Sequence, residues 1–273
     1  MKLAYHTITW GGVVGHPAGV TSVKDLHYLA NGSTEEALRD ISDADYEGFE
    51  LFDGNLAQYA GREDALRNLI DGLGLQMVAV YCGANFIYPE ILEDELSKIE
   101  DAARLAAQFG AEHLVVGGGA VRAAGIREED YRRLGEGLER VVAIADEAGL
   151  VASYHPHLGT CVESPEQLAK AFQYTGINFC PDTAHLEAGG GDPADLIGTY
   201  GDRIRYVHLK DYEGGDFLPL GRGGQDFSRI MRALSSIQYD GWITVELDAY
   251  EGSPKEAAQI SRRFLSEVTA QGS

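Results

Sequence analysis

The segment VASYHPHLGT carries two histidines, His155 and His157, in a stretch that otherwise reads as a β-strand. Side chains on a strand repeat every two residues, so both imidazoles share a face. Three later segments carry similar residues in similar places. FCPDTAH brings Asp182 and His185, RYVHLKD brings His208 and Lys210, and WITVELD brings Glu246. In RYVHLKD the alternation sends Val207 and Leu209 one way, and Tyr206, His208 and Lys210 the other. In WITVELD it separates Ile243, Val245 and Leu247 from Thr244, Glu246 and Asp248. His155 or His157, Asp182, His208 and Glu246 together make a mixed imidazole and carboxylate set of the kind that binds a divalent metal. Each has a plainer explanation when taken singly. A strand histidine is usually a hydrogen-bonded core group, and Asp182 suits a turn or a helix cap. Glu246 is harder to explain that way, because a carboxylate aimed inward among Val, Ile and Leu needs a partner.

Bringing these residues together requires strands that run side by side. Strands are expected at about 2–8, 49–53, 76–82, 113–117, 151–157, 177–182, 204–210 and 242–247, with amphipathic helical stretches between them. Helix starts are marked by Ser33 with Glu36, Ser164-Pro165 with Gln167, and Ser253-Pro254 with Glu256, each a capping-box pattern, and by Asp192-Pro193. Gly74, Gly110 and Gly149 mark helix ends. Eight strand–helix units in 273 residues predict an α/β fold, a (β/α)8 TIM barrel, as one domain over residues 1–273. Such a barrel carries its chemistry at the C-terminal ends of its strands, where these residues fall. The rival, a doubly wound sheet, needs a phosphate-binding turn. HTITWGGVVGH follows the first strand without GxGxxG spacing, and VGGGA after the fourth lacks both the spacing and the later acid.

Composition narrows the class. Acids outnumber bases 43 to 22, a net charge of −21, and no basic cluster is present, which counts against a nucleic-acid partner on electrostatic grounds. No apolar run reaches the length of a membrane span, and the N-terminus lacks the apolar segment of a signal peptide, so a cytoplasmic protein is expected. Cys82, Cys161 and Cys180 are dispersed, without CxxC spacing, and are expected to be reduced.

The run PDTAHLEAGGGDPADLIGTYGDRIRYVHLKD, followed by GWITVELD, resembles the xylose-isomerase-like TIM-barrel superfamily of sugar isomerases, epimerases and dehydratases. The resemblance covers essentially the whole chain. It implies that Asp182, His208 and Glu246 are metal ligands. Many members supply a fourth ligand from a strand-five Glu in an E-P-H segment. Here that segment reads H-P-H, so His155 stands at that place. YHPHLGT and GGDPADL are most similar to the inosose (2-keto-myo-inositol) dehydratase branch.

The resemblance implies one divalent ion, Mn²⁺ first with Co²⁺ or Mg²⁺ as alternatives. It implies proton abstraction beside a metal-bound carbonyl, with Glu246 as base as well as ligand and His155 or His157 as acid. His185 is expected to bind a substrate hydroxyl, Lys210 an oxyanion or carboxylate, and Arg222, in PLGRGGQDF, the substrate loop. His6 and Trp10, on or just after the first strand, and Glu50 in the second, complete the expected substrate pocket.

Two enzyme classes follow. The first is a lyase acting on a keto-sugar or keto-cyclitol, extending to 3-keto-glycoside cleavage with a small accessory subunit. The second is a sugar isomerase or ketose 3-epimerase, which needs a second carboxylate from Glu187 or Glu163. An abasic-site endonuclease of the same fold needs more ligands and basic loops than this chain has. The ligand set on strands six to eight speaks against a purely binding role. A homo-oligomer is in keeping with similar proteins.

Overall fold

The computed structural model describes residues 1–11 and 27–271; the HTITWGGVVGH segment beyond Gly11 lies outside them. The parallel strands are β1 (Lys2–His6), β2 (Gly48–Phe52), β3 (Gln76–Ala84), β4 (His113–Gly118), β5 (Val151–His155), β6 (Asn178–Phe179), β7 (Val207–Leu209) and β10 (Trp242–Val245). An antiparallel hairpin, β8 (Asp211–Glu213) with β9 (Asp216–Leu218), stands apart from them. The helices are α1 (Thr34–Asp43), α2 (Asp53–Ala57), α3 (Glu63–Leu73), α4 (Pro89–Gln108), α5 (Glu128–Ala148), α6 (Pro165–Ala171), α7 (Thr183–Ala188), α8 (Pro193–Thr199), α9 (Phe227–Ser236) and α10 (Pro254–Gln271).

The strands pair in the order β6-β5-β4-β3-β2-β1-β10-β7. Parallel bridges Phe179–Ile204 and Asp182–His208 join the two outer strands, so the sheet curls into the expected barrel. Alternation along the strands separates two apolar layers. Phe49, Leu51, Val80, Val207, Leu209, Ile243 and Val245 pack outward, while Ala4, Ala79, Tyr81, Val115 and Tyr206 fill the interior. Several of the local signals are met: the Ser33 side chain caps α1 by accepting from Glu36 N. The Ser164 side chain accepts from Gln167 N, and Gln167 Oε1 accepts from Ser164 N. The Asp192 side chain caps α8, and Gly74 and Gly149 end α3 and α5 in the left-handed conformation.

Five strands, β1, β5, β6, β7 and β10, are shorter than expected, and three of them show a local reason. β1 stops at His6 because its Nδ1 accepts from Ile8 N and turns the chain into a 3-10 helix over Thr7–Thr9. β6 covers Asn178–Phe179; Pro181 has no N–H to offer, and pairing resumes at Asp182. β10 ends at Val245, although Glu246 N still bonds to Leu209 O and continues the strand's direction. Among the described residues no helix is long and apolar enough to cross a membrane.

Candidate active site

At the C-terminal mouth of the barrel, four side chains come from four neighbouring places in the ring. His155 ends β5, Asp182 caps α7 just after β6, His208 is the middle residue of β7, and Glu246 follows β10. Each keeps one buried polar atom without a hydrogen-bond partner: His155 Nε2, Asp182 Oδ2, His208 Nδ1 and Glu246 Oε2. Their other polar atoms are engaged or near a partner. Asp182 Oδ1 accepts from Ala184 N and His185 N, both at 2.9 Å. His208 Nε2 lies 2.9 Å from Glu50 Oε2, and Glu246 Oε1 accepts from Lys210 Nζ at 2.8 Å. His155 Nδ1 lies 3.5 Å from the Tyr81 hydroxyl.

His155 Nε2 is 3.6 Å from Asp182 Oδ2. His208 Nδ1 is 2.7 Å from Glu246 Oε2 but is not aligned as a hydrogen bond. Unpaired buried polar atoms are costly, and a group of them converging on one point has the chemistry of a cation site. His155, Asp182, His185 and Glu246 can each offer a ligand atom with all four within 4.8 Å of one another. His208 joins this group through its contact with Glu246. Imidazole nitrogens and carboxylate oxygens in such a mixed set suit a divalent transition metal.

Electrostatics reinforce the cluster. Burial would raise Glu246, but the charges of Lys210 and His208 outweigh it and hold its carboxyl well below the usual range. Burial would likewise raise Asp182, and Lys210 and His185 pull it below its usual range. Burial would lower His208, yet Glu50 and Glu246 raise it to about 10. Lys210 is fully buried, which rules out a snorkelled surface lysine. Its ammonium also donates to Asp248 Oδ2 at 2.7 Å, and Asp182, Asp248 and Glu246 hold it above the ordinary lysine range against the effect of burial.

The two histidines of HPH have separate surroundings. His155 is fully buried beside Asp182. His157 Nδ1 is 2.7 Å from Leu158 O, and a carbonyl only accepts, so the proton sits on Nδ1. Burial, then the neighbouring His155, lowers His157 to about 4, which leaves the ring neutral and Nε2 bearing a lone pair. Its ring lies 3.8 Å from that of His185. His157 also lines a small recess of about 10 Å³, the size of a single water, together with Ile8, Tyr28, Phe52, Tyr81, Glu246 and Asp248.

Residues 38–268 match the profile of the xylose isomerase-like TIM barrel family. The chain belongs to that family. An inosose dehydratase from Geobacillus kaustophilus is 26% identical over 268 residues, covering 85% of this chain and 86% of its own. The probable 3-DHS dehydratase AsbF of Bacillus anthracis superposes with a TM-score of 0.74 at 16% identity, covering 97% of this chain and 99% of its own. IOLI protein, solved with a bound zinc atom, superposes at 0.75 with 18% identity, over 99% of both chains. At those identities the two structures speak for the fold alone.

This xylose isomerase-like barrel departs from the sequence expectation at several residues. Trp10 lies outside the site. Its indole Nε1 donates to Asp40 on α1 at 3.0 Å, and its ring meets Tyr5 edge-on in the outer apolar layer. The 3-10 turn after His6 breaks the two-residue period, so Trp10 points away from the mouth. Trp10→Phe should cost about 2 kcal/mol of stability through the lost hydrogen bond and volume, and leave Mn²⁺ affinity unchanged. Denaturant unfolding and metal titration of the same preparation check both halves.

Arg222 is exposed on its loop, also away from the cluster. The Asp211 carboxylate gathers that loop by accepting from the backbone N–H groups of Tyr212, Gly221, Gly223 and Gln225. Glu163 accepts from Gly159 N, and Glu187 lines a separate pocket beside Arg229, so neither is the second carboxylate of the site. That residue is Asp248, on the inner face of WITVELD; burial, partly offset by Lys210, raises it to about 6.

Glu50 serves His208 and accepts from the Tyr206 hydroxyl at 2.7 Å. His6 lies beside it, its Nε2 3.7 Å from Glu50 Oε1. The aromatic wall of Phe52 and Tyr81 went unread in the sequence. Gly117 is what admits Tyr81: a Cβ there would lie 1.9 Å from the Tyr81 hydroxyl.

Proposed function

We propose that the protein is a divalent-metal-dependent dehydratase of an uncharged keto-cyclitol or keto-sugar. The observation that carries this reading is the gathering of ligand atoms from His155, Asp182, His185 and Glu246 within 4.8 Å of one another, with His208 against Glu246, beside His157, whose Nδ1–H is spent on Leu158 O. Under this reading His155, Asp182, His208 and Glu246 hold the ion, Mn²⁺ by resemblance, with Zn²⁺ as the comparison that the IOLI protein suggests. When bound, it supplies Lewis-acid stabilisation of negative charge on a carbonyl oxygen.

The chain's own residues do the rest. His157 Nε2 takes the proton α to the carbonyl. The C–O bond at the β carbon breaks, the electron pair of the lost C–H bond forms the new double bond, and the leaving hydroxyl takes the proton back from Nε2 as water. Glu246, expected from the sequence to be the base, is the weaker one, because Lys210 and His208 stabilise its ionised form. His185, packed against His157, is placed to hold a substrate hydroxyl. Phe52 and Tyr81 offer an apolar wall to a ring face.

Among the described residues that line the recess there is no lysine or arginine, and Lys210 is already engaged by Glu246 and Asp248, so a phosphate group would meet these two carboxylates without a free counter-charge. A free cyclitol fits better. The relative from Geobacillus kaustophilus supports this choice through its name, inosose dehydratase.

The test is to purify the protein without chelator, quantify bound metals, and incubate it with 2-keto-myo-inositol and with ketohexoses in D₂O. NMR and ultraviolet absorbance follow the products. One ion per chain, EDTA-sensitive loss of water from the cyclitol and a new conjugated absorbance are expected. Deuterium incorporation with isomerised sugars alone would move the protein to the isomerase and epimerase class.

A further inference from the structure

A second set of ligand-type groups lies beside the first. His157, His185 and Asp248 offer ligand atoms within 4.8 Å of one another. His185 Nδ1 and Asp248 Oδ1 are buried and have no hydrogen-bond partner. The Nδ1–H of His157 is spent on Leu158 O, which leaves its Nε2 as the lone-pair nitrogen. The Lys210 ammonium sits between the two sets. It lies 2.7 Å from Asp248 Oδ2, 2.8 Å from Glu246 Oε1, 3.3 Å from His185 Nε2 and 3.4 Å from Asp182 Oδ2. The face of Phe217 covers it at 4.7 Å. Carboxylates, an imidazole and an aromatic face surround the nitrogen as they would a bound cation.

We propose that the Lys210 ammonium is a resident cation standing in for a second divalent ion, and that it limits this site to one metal. The inference rests on the reading of His155, Asp182, His208 and Glu246 as the metal site. Four carboxylates are buried here: Glu50, Asp182, Glu246 and Asp248. One divalent ion with an ammonium comes close to balancing them. A second divalent ion beside the ammonium would overcharge the cluster, whereas two ions without the ammonium would match it. Lys210 therefore does more than orient Glu246: it decides how many ions enter.

The test is equilibrium dialysis against Mn²⁺, with electron paramagnetic resonance on the loaded samples. The wild type should saturate at one ion per chain and show the resolved hyperfine pattern of an isolated ion. Lys210→Met should double the bound Mn²⁺ and lose that pattern through coupling between neighbouring ions. Adding Asp248→Asn to it should return the count to one. A wild type that takes two ions, or a Lys210→Met protein that stays at one while the wild type binds one, overturns the inference. A wild type that binds none overturns the metal-site reading instead. Should Lys210→Met not fold, Lys210→Gln asks the same question, and the wild-type count stands as a test by itself.

Discussion

Asp182→Asn should abolish stoichiometric metal binding while leaving the fold in place. The two oxygens of Asp182 have different work. Oδ1 caps α7 by accepting from Ala184 N and His185 N, whereas Oδ2 is buried without a hydrogen-bond partner and faces His155 Nε2 at 3.6 Å. An asparagine can present its carbonyl to the helix and so keep the cap, and it then turns an NH₂ group, which cannot ligate, toward the cluster. Lewis-acid stabilisation is worth several kcal/mol, so kcat/KM for the dehydration should fall by roughly 10³ or more.

Asp182→Ala separates the two roles. It removes ligand and cap together and should cost about 1 kcal/mol more in stability than Asp182→Asn at the same loss of metal. Metal analysis after dialysis and denaturant unfolding are the two readouts. Full metal occupancy in Asp182→Asn would sink the four-residue site.

How far the sequence disclosed this site depends on the regularity of the chain around each residue. His208 and Glu246 could be placed by counting in twos, because β7 and β10 keep their period up to the mouth. Trp10 could not, because the 3-10 turn at Thr7–Thr9 intervenes. Arg222 was misplaced for a related reason. The β8–β9 hairpin turns the chain, and Asp211 then gathers the following loop by its backbone, so the arginine faces solvent. A signal for the hairpin was present: Gly214 and Gly215 both take positive φ in its two-residue turn, a pattern that paired glycines favour. Asp248 was on the correct face by parity but received no role, since nothing in the sequence brings it to Lys210. What sets His155 apart from His157 is tertiary: Asp182 Oδ2 lies 3.6 Å from His155 Nε2 and Leu158 O lies 2.7 Å from His157 Nδ1, contacts that pattern and spacing do not reveal.

Glu50→Gln should weaken metal binding, although Glu50 reaches the cluster only through His208. Its Oε2 meets His208 Nε2 at 2.9 Å and accepts from the Tyr206 hydroxyl at 2.7 Å, with the carboxyl fully buried. Burial would raise it, but His208 pulls it below the usual carboxylate range, so Glu50 is ionised where it touches the ring. An ionised carboxylate at Nε2 keeps the proton on that nitrogen, so that a metal would displace the proton from Nδ1, the nitrogen that faces Glu246 Oε2 and the cluster. Glu50→Gln keeps the shape and the hydrogen-bond acceptor but removes the charge that fixes the tautomer and makes the ring more basic. Losing such a partner costs roughly 10- to 100-fold in metal affinity or activity. Tyr206→Phe, which removes the other donor to the same oxygen and leaves the charge, should cost less than Glu50→Gln. Competition with a metal-binding dye gives both affinities. If Glu50→Gln bound Mn²⁺ as tightly as the wild type, His208 would have to be positioned by the barrel wall alone, and Glu50 would be a buried charge held in place by Tyr206 and His6 rather than a determinant of the metal site.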